Sequence, residues 1–202
     1  MKFRKIKNIF FVGIGGIGMS GIAELLHNLS FKISGSDMNR NENVLRLQKI
    51  GIKVSIGHHP NNINGSDALV YSSAIPIENP EIIRARQKGI PVIRRAEMLG
   101  ELITVKETSI AVGGTHGKTT TSSMIGTILH YAKKDPTLVV GGLVQNLNSN
   151  SNFGKGEIIV VEADEFDRSF LALKPTISVV TNIELEHTCL LYTSPSPRDF
   201  TE

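Results

Sequence analysis

Lys118-Thr119-Thr120 closes the glycine-bearing run Gly113-Gly114-Thr115-His116-Gly117, directly after the apolar stretch Ile110-Ala111-Val112. Residue types in that order suit a triphosphate. The glycines let backbone N–H groups turn toward phosphate oxygens, the lysine reaches the terminal phosphates, and the hydroxyl after it serves a magnesium ion. The run departs from the common G-x-x-x-x-G-K-[ST] spacing, because Val112 stands where the first glycine belongs and the nearest glycine comes one residue later. A ligand-free turn is the bland alternative, but Gly-Lys-Thr after a buried-type strand is seldom needed for packing alone.

Magnesium beside a phosphate loop calls for a carboxylate at the end of a neighbouring strand. Ile158-Ile159-Val160-Val161-Glu162 has that form, which makes Glu162 the first metal candidate. Asp164, Glu165 and Asp167 follow it and read equally as a solvated acidic turn. Thr181-Asn182-Ile183-Glu184-Leu185-Glu186-His187 brings an amide, carboxylates and an imidazole beyond a third strand end, and His187 is the candidate there.

A second glycine pattern lies near the start. Gly13-x-Gly15-x-x-Gly18 matches the dinucleotide fingerprint, and Asp37 lies 19 residues beyond Gly18, where such folds place a ribose-binding carboxylate. A helix N-terminus after the turn favours an anion, so the pattern supports a diphosphate ligand without distinguishing NAD(P) from a nucleotide sugar. His58 and His59 follow one strand signal and Ser72 and Ser73 another, at the edge where open α/β sheets bind ligands. A solvated turn or a cap explains either pair as well.

These groups need strands to carry them. Strand signals fall at Lys7 to Val12, Lys32 to Gly35, Lys53 to Ile56, Ala68 to Tyr71, Pro91 to Ile93, Thr108 to Val112, Thr137 to Gly141, Glu157 to Glu162 and Ile177 to Thr181. Helical stretches alternate with them at Ser20 to Leu29, Asn43 to Ile50, Pro80 to Lys88, Ala96 to Leu102 and Lys118 to about Tyr131. The alternation predicts α/β architecture with parallel sheets covered on both faces. The Asn-, Ser- and Gly-rich stretch Gln145 to Gly156 reads as an exposed loop.

The 202 residues, 40% hydrophobic and 20% charged, suffice for one large or two small domains. A net charge of +3 from scattered Lys and Arg gives no nucleic-acid surface, and no apolar run approaches a membrane span. The start lacks the apolar core and cleavage site of a signal peptide, so a cytoplasmic location is expected. The single Cys189 excludes an internal disulfide framework.

Taken together, Gly13 to Glu24, Gly35-Ser36-Asp37, Ser72-Ser73-Ala74-Ile75, Gly114-Thr115-His116-Gly117-Lys118-Thr119-Thr120, Glu162-Ala163-Asp164-Glu165 and Thr181-Asn182-Ile183 resemble the Mur ligases over Ile9 to His187. Gly-Thr-x-Gly-Lys-Thr is that family's form of the loop, which accounts for the shifted glycine. The resemblance implies a Rossmann-like UDP-sugar-binding domain at 1–105 and a P-loop ATPase-type central domain, truncated, at 106–188. A tail outside the family pattern occupies 189–202 and is expected to be disordered or artefactual.

The implied activity is an ATP-dependent ligase joining L-alanine to the carboxylate of UDP-N-acetylmuramate through an acyl phosphate, in peptidoglycan precursor synthesis. Gly114, Thr115, His116, Gly117, Lys118, Thr119 and Thr120 would bind ATP. Thr119 and Glu162 would hold one magnesium ion, His187 with Glu162 a second, and Lys118, Glu162 and His187 would be the catalytic set. Gly15, Gly16, Ile17, Gly18, Ser36, Asp37, His58, Ser72 and Ser73 would meet the UDP-sugar, with Asn182 grouped among them. The resemblance also implies a third domain that closes over ATP. With Thr188-Cys189-Leu190 onward outside the pattern, the chain is expected to bind nucleotides without completing ligation. Three other readings stay open: a UDP-sugar-binding module without catalysis, the related ligase that attaches a preformed murein tripeptide, and a nicotinamide-dependent oxidoreductase. Oligomeric state is not readable.

Overall fold

A computed structural model of the chain describes residues 6–144, 149–152, 154–163 and 169–184. The first sheet contains β1 (Asn8–Val12), β2 (Lys32–Asp37), β3 (Lys53–Ile56), β4 (Ala68–Tyr71) and β5 (Val92–Arg94) in the spatial order β3-β2-β1-β4-β5, all parallel. Helices α1 (Ile17–Asn28), α2 (Glu42–Lys49), α3 (Pro80–Gln87) and α4 (Arg95–Leu102) alternate with them. In such an order the chain reverses direction beside β1, and the crevice at the carboxyl ends of β1 and β4 is where ligands bind.

The second sheet follows with β6 (Thr108–Gly113), helix α5 (Lys118–Tyr131), β7 (Thr137–Val144), β8 (Ser149–Asn152), β9 (Ile158–Glu162) and β10 (Ile177–Val180), ordered β10-β6-β9-β7-β8. Its pairs are parallel except β7 with β8. The α/β class with parallel sheets is therefore as the sequence indicates.

The core follows from side-chain alternation along buried strands. In β1, Ile9 and Phe11 pack on the α1 side with Ile22, Ala23 and Leu26, whereas Phe10 and Val12 face Leu69, Ile82 and Ala85 on the α3 side. In the second sheet, Ile110, Val112 and Val160 face Ile125 and Leu129 of α5. Ala111, Val139, Ile159 and Val161 point the opposite way, into the same apolar cluster as Ile9, Ile22 and Leu99. The two sheets thus share one core, with α1 between them.

Two sequence expectations need correction. The stretch Gln145 to Gly156 is not simply a loop, since Ser149–Asn152 pairs antiparallel with β7. Its polar composition hides the strand, because an edge partner is held by backbone bonds that need no apolar face. Strand β2 also runs two residues beyond Gly35. Ser36 and Asp37 therefore belong to the strand, with consequences for both side chains.

Candidate functional site

The candidate phosphate loop begins where β6 ends. Gly114 has φ +130° and Gly117, which precedes α5, has φ +80°, conformations in which L side chains are strained. A Cβ on Gly114 would also collide with Thr181 Oγ1. The segment after β10 clamps the loop. Thr181 N donates to Gly113 O at 3.0 Å and Thr181 Oγ1 to His116 O at 2.6 Å. Asn182 Oδ1 accepts His116 N at 2.9 Å, Asn182 O accepts Thr115 N at 3.3 Å, and Glu184 N donates to Thr115 Oγ1 at 3.0 Å.

Lys118 Nζ lies across this loop, donating to Gly114 O at 2.6 Å and Thr115 O at 3.4 Å. Its ammonium thus stands over the turn and beside the N-terminus of α5, where first-turn N–H groups lack intrahelical acceptors and the helix dipole favours an anion. Thr119 and Thr120 follow in that first turn and are exposed. The exposed imidazole of His116 stands 3.6 Å from Glu184 Oε2, outside the turn.

Glu162 reaches the loop through strand register. It pairs with Val112, two residues before Gly114, and Ala163 N donates to Val112 O at 2.9 Å. This carboxylate also lines a cavity of about 260 Å³ between the two sheets, together with Gly16, Ile17, Gly18, Ser72, Arg95 and Val140. One cavity therefore joins the glycine turn of the first unit to the acidic strand end of the second. A hydroxyl at Thr119 and a carboxylate at Glu162 suit magnesium, which is commonly held by one or two carboxylates plus substrate phosphates. Among the described residues no group of three His, Cys, Asp or Glu comes together. His187, Asp164, Glu165 and Asp167 lie outside the described residues.

At the first glycine motif, Gly13 has φ +75°, and the N–H groups of Gly13 and Ile14 both donate to Ser36 O, at 2.9 and 3.0 Å. Gly16 precedes α1 with no side-chain cap bond. Asp37 does not present a carboxylate to a ribose alone. Its Oδ2 accepts Gly15 N at 2.8 Å and its Oδ1 accepts Asn39 N at 3.0 Å, so it holds the turn in shape. Asn41 and Asn43 grip Gly15 O from the other side at 3.0 and 2.9 Å. A Cβ on Gly15 would come within 2.9 Å of Asn41, so the glycine is needed for this close approach.

Other candidates separate. Ser36 is fully buried, and its hydroxyl donates to Glu81 Oε2 at 2.6 Å with His58 Nδ1 2.9 Å away. Its hydroxyl is therefore engaged inside the fold, because β2 extends far enough to bury it. His58 Nδ1 is 2.9 Å from the same Glu81 oxygen. His59 Nδ1 accepts Asn61 N at 3.2 Å and so caps the 3₁₀ turn Pro60–Ile63, the bland role. Ser72 lines the cavity between the sheets, while Ser73 opens into a neighbouring cavity of about 280 Å³ with Tyr71, Arg94, Arg95 and Ala96. Asn182, grouped with the UDP-sugar residues from sequence, sits instead on the phosphate loop.

Sequence reasoning missed Glu81, Asn41, Asn43, Arg94 and Arg95. Glu81 carries no motif, yet it is fully buried and accepts from Ser36 Oγ, His59 N and Asn62 Nδ2. Arg94 and Arg95 fell between a strand signal and a helix signal, although two adjacent cations at a strand's carboxyl end were visible. A hydrogen bond to Tyr71, with charge interactions at Tyr71 and Glu97, raises the Arg94 guanidinium pKa.

Residues 8–107 match the description "Mur ligase family, catalytic domain" and residues 112–190 match "Mur ligase middle domain". A UDP-N-acetylmuramate–L-alanine ligase of Sorangium cellulosum is 52% identical over 91% of this chain and 39% of its own length. One from Granulibacter bethesdensis is 54% identical over 90% of this chain and 38% of its own. Among solved structures, the UDP-N-acetylmuramate-alanine ligase MurC of Thermotoga maritima superposes with TM-score 0.85 at 33% identity, over 93% of this chain and 44% of that one. The UDP-N-acetylmuramate:L-alanyl-gamma-D-glutamyl-meso-diaminopimelate ligase of Neisseria meningitides gives 0.83 at 27% identity, over 92% of this chain and 63% of that one. The chain thus spans about two-fifths of the length of the curated relatives it matches.

Proposed function

The chain belongs to the Mur ligase family, and from that premise we propose that it is the nucleotide-binding part of an ATP-dependent ligase joining L-alanine to the carboxylate of UDP-N-acetylmuramate for peptidoglycan. One observation carries this reading: a single cavity is lined both by Gly16, Ile17 and Gly18 and by Glu162. A UDP-sugar held by the glycine turn would extend its sugar toward the acidic strand end, beside the loop that holds ATP. The relatives named for L-alanine are more than half identical to this chain, which favours alanine over a preformed tripeptide as the acceptor.

In this reading residues 1–105 hold the UDP-sugar and residues 106–188 hold ATP. Bringing a carboxylate against a triphosphate is electrostatically unfavourable. Lys118 offsets that repulsion and steadies the transferring phosphoryl group, while the α5 N-terminus adds its dipole. Thr119 and Glu162, with His187, would hold magnesium, which supplies further positive charge to the phosphates when bound. The muramoyl carboxylate attacks the γ-phosphate of ATP, giving an acyl phosphate and ADP. The amine of L-alanine then opens the acyl phosphate to the amide, releasing inorganic phosphate. Among the described residues no helix is long and apolar enough to cross a membrane. A cytoplasmic location suits substrates of this kind.

Calorimetric titration of the 202-residue chain tests the reading. Separate saturable binding of magnesium–ATP and of UDP-N-acetylmuramate is expected. Binding of NADH with a fluorescence change, and none of the UDP-sugar, would assign the first glycine motif to an oxidoreductase instead.

A further inference from the structure

Arg95 lines the same cavity as the glycine turn and Glu162 and has no part in the proposed reaction. It is the first residue of α4, immediately after β5, and is half-buried. Its side chain lines both the 260 Å³ cavity, with Gly16, Gly18, Ser72 and Glu162, and the adjoining 280 Å³ cavity, with Tyr71, Ser73 and Arg94. The guanidinium lies so close to the first turn of α1 that a Cβ on Gly18 would be 2.9 Å from Arg95 Nη1. Gly18 and this guanidinium are thus immediate neighbours.

The surroundings suit an anion. The N-termini of α1 and α4 both meet this region, and each carries the positive end of a helix dipole. Arg94, exposed at the end of β5 and in register with Tyr71 of β4, adds a second guanidinium, and its backbone N–H donates to Glu97 Oε2 at 3.0 Å. Glu162 is the acidic residue in the larger cavity's wall. A planar guanidinium offers paired N–H donors that match two oxygens of a carboxylate or phosphate, which a lysine ammonium does not.

We propose that Arg95, backed by Arg94, Tyr71 and Ser73, forms an anion subsite that grips a two-oxygen anionic face of the bound UDP-sugar between the glycine turn and Glu162. The proposal rests on the UDP-sugar reading of the first unit. The anionic face has two possible sources, the diphosphate and the muramoyl carboxylate. Either way Arg95 fixes how far the sugar reaches toward Glu162.

The test is calorimetric titration of the wild-type 202-residue chain, Arg95→Ala, Arg95→Gln and Arg95→Lys with three probes: UDP, UDP-N-acetylglucosamine and UDP-N-acetylmuramate. Arg95→Ala should weaken binding roughly tenfold or more, and Arg95→Lys should restore only part of it. Equal weakening for all three probes identifies the diphosphate as the gripped group. Weakening confined to UDP-N-acetylmuramate, the only probe with a carboxylate, identifies the carboxylate. Should Arg95→Ala lose its fold by circular dichroism, Arg95→Gln carries the same comparison. Wild-type affinity in the folded variants for all three probes would overturn the subsite and leave the UDP-sugar reading intact. Failure of the wild-type chain to bind any probe would instead sink that reading, and the subsite with it.

Discussion

Asn182 accepts the backbone N–H of His116 through its side-chain oxygen at 2.9 Å, so a residue after β10 sets the shape of the glycine loop 66 positions earlier. The same residue's carbonyl accepts Thr115 N, which makes the clamp two-pronged. Truncation to Asn182→Ala removes the side-chain prong, a bond worth about 1 kcal/mol. Magnesium–ATP affinity should fall about fivefold while UDP-sugar affinity stays unchanged. Titration of both ligands checks this, and an equal loss of both would argue for general unfolding.

Lys118→Ala removes the ammonium that crosses the loop to Gly114 O. Placed in a ligase with the relatives' full length, the variant should lose at least about 100-fold in turnover, as other phosphate- and oxyanion-stabilising groups do. Single-turnover phosphate release measures it. Near-normal turnover would remove Lys118 from the chemistry.

Glu81 is the acceptor around which Ser36, His59 and Asn62 are arranged, and it is fully buried. Glu81→Ala leaves those donors without a carboxylate in the interior, at a cost on the order of 3 kcal/mol. Urea unfolding followed by circular dichroism should show a lower midpoint with an unchanged slope. A midpoint within error of wild type would mean that water replaces the carboxylate.

Asp67 ties down the start of β1, its Oδ2 accepting Asn8 N at 2.8 Å and Lys7 N at 2.9 Å. The backbone bond from Asn8, then that from Lys7, holds its carboxyl pKa below the ordinary value. A lowered folded-state pKa stabilises the fold above the unfolded-state pKa, and that contribution disappears as pH falls through the folded value. Asp67→Asn should therefore flatten the acid limb of the stability curve below about pH 4 and leave its shape at neutral pH alone. Denaturation midpoints collected from pH 3 to pH 7 compare the two.

How much of this was legible depends on whether a residue acts through its own type or through a distant partner. Lys118 and Glu162 were readable because a glycine loop and an apolar strand ending in a carboxylate announce themselves locally. Ser36 and Asp37 were visible as candidates, but their partners were not. The buried Glu81, 45 positions away, captures the Ser36 hydroxyl, and Gly15 N captures the Asp37 carboxylate. The β8 strand was hidden for a similar reason, since its pairing is made by backbone groups and leaves no periodic apolar signal. Arg95 shows the opposite failure, because its type was plain but nothing local revealed that it faces Gly18.

Helix α1 presents a diphosphate-type turn at its N-terminus, while Ile22 and Ala23 along its flank belong to the apolar cluster that also contains Val139 and Ile159. Neither sheet can lose its structure without stripping the other of apolar cover, so heating should melt both in one step and not in two. The same arrangement gives the two proposed nucleotide sites a common thermodynamic footing. A ligand that tightens α1 makes the shared interior harder to open, and the site beyond it inherits part of that stabilisation with no contact between the ligands.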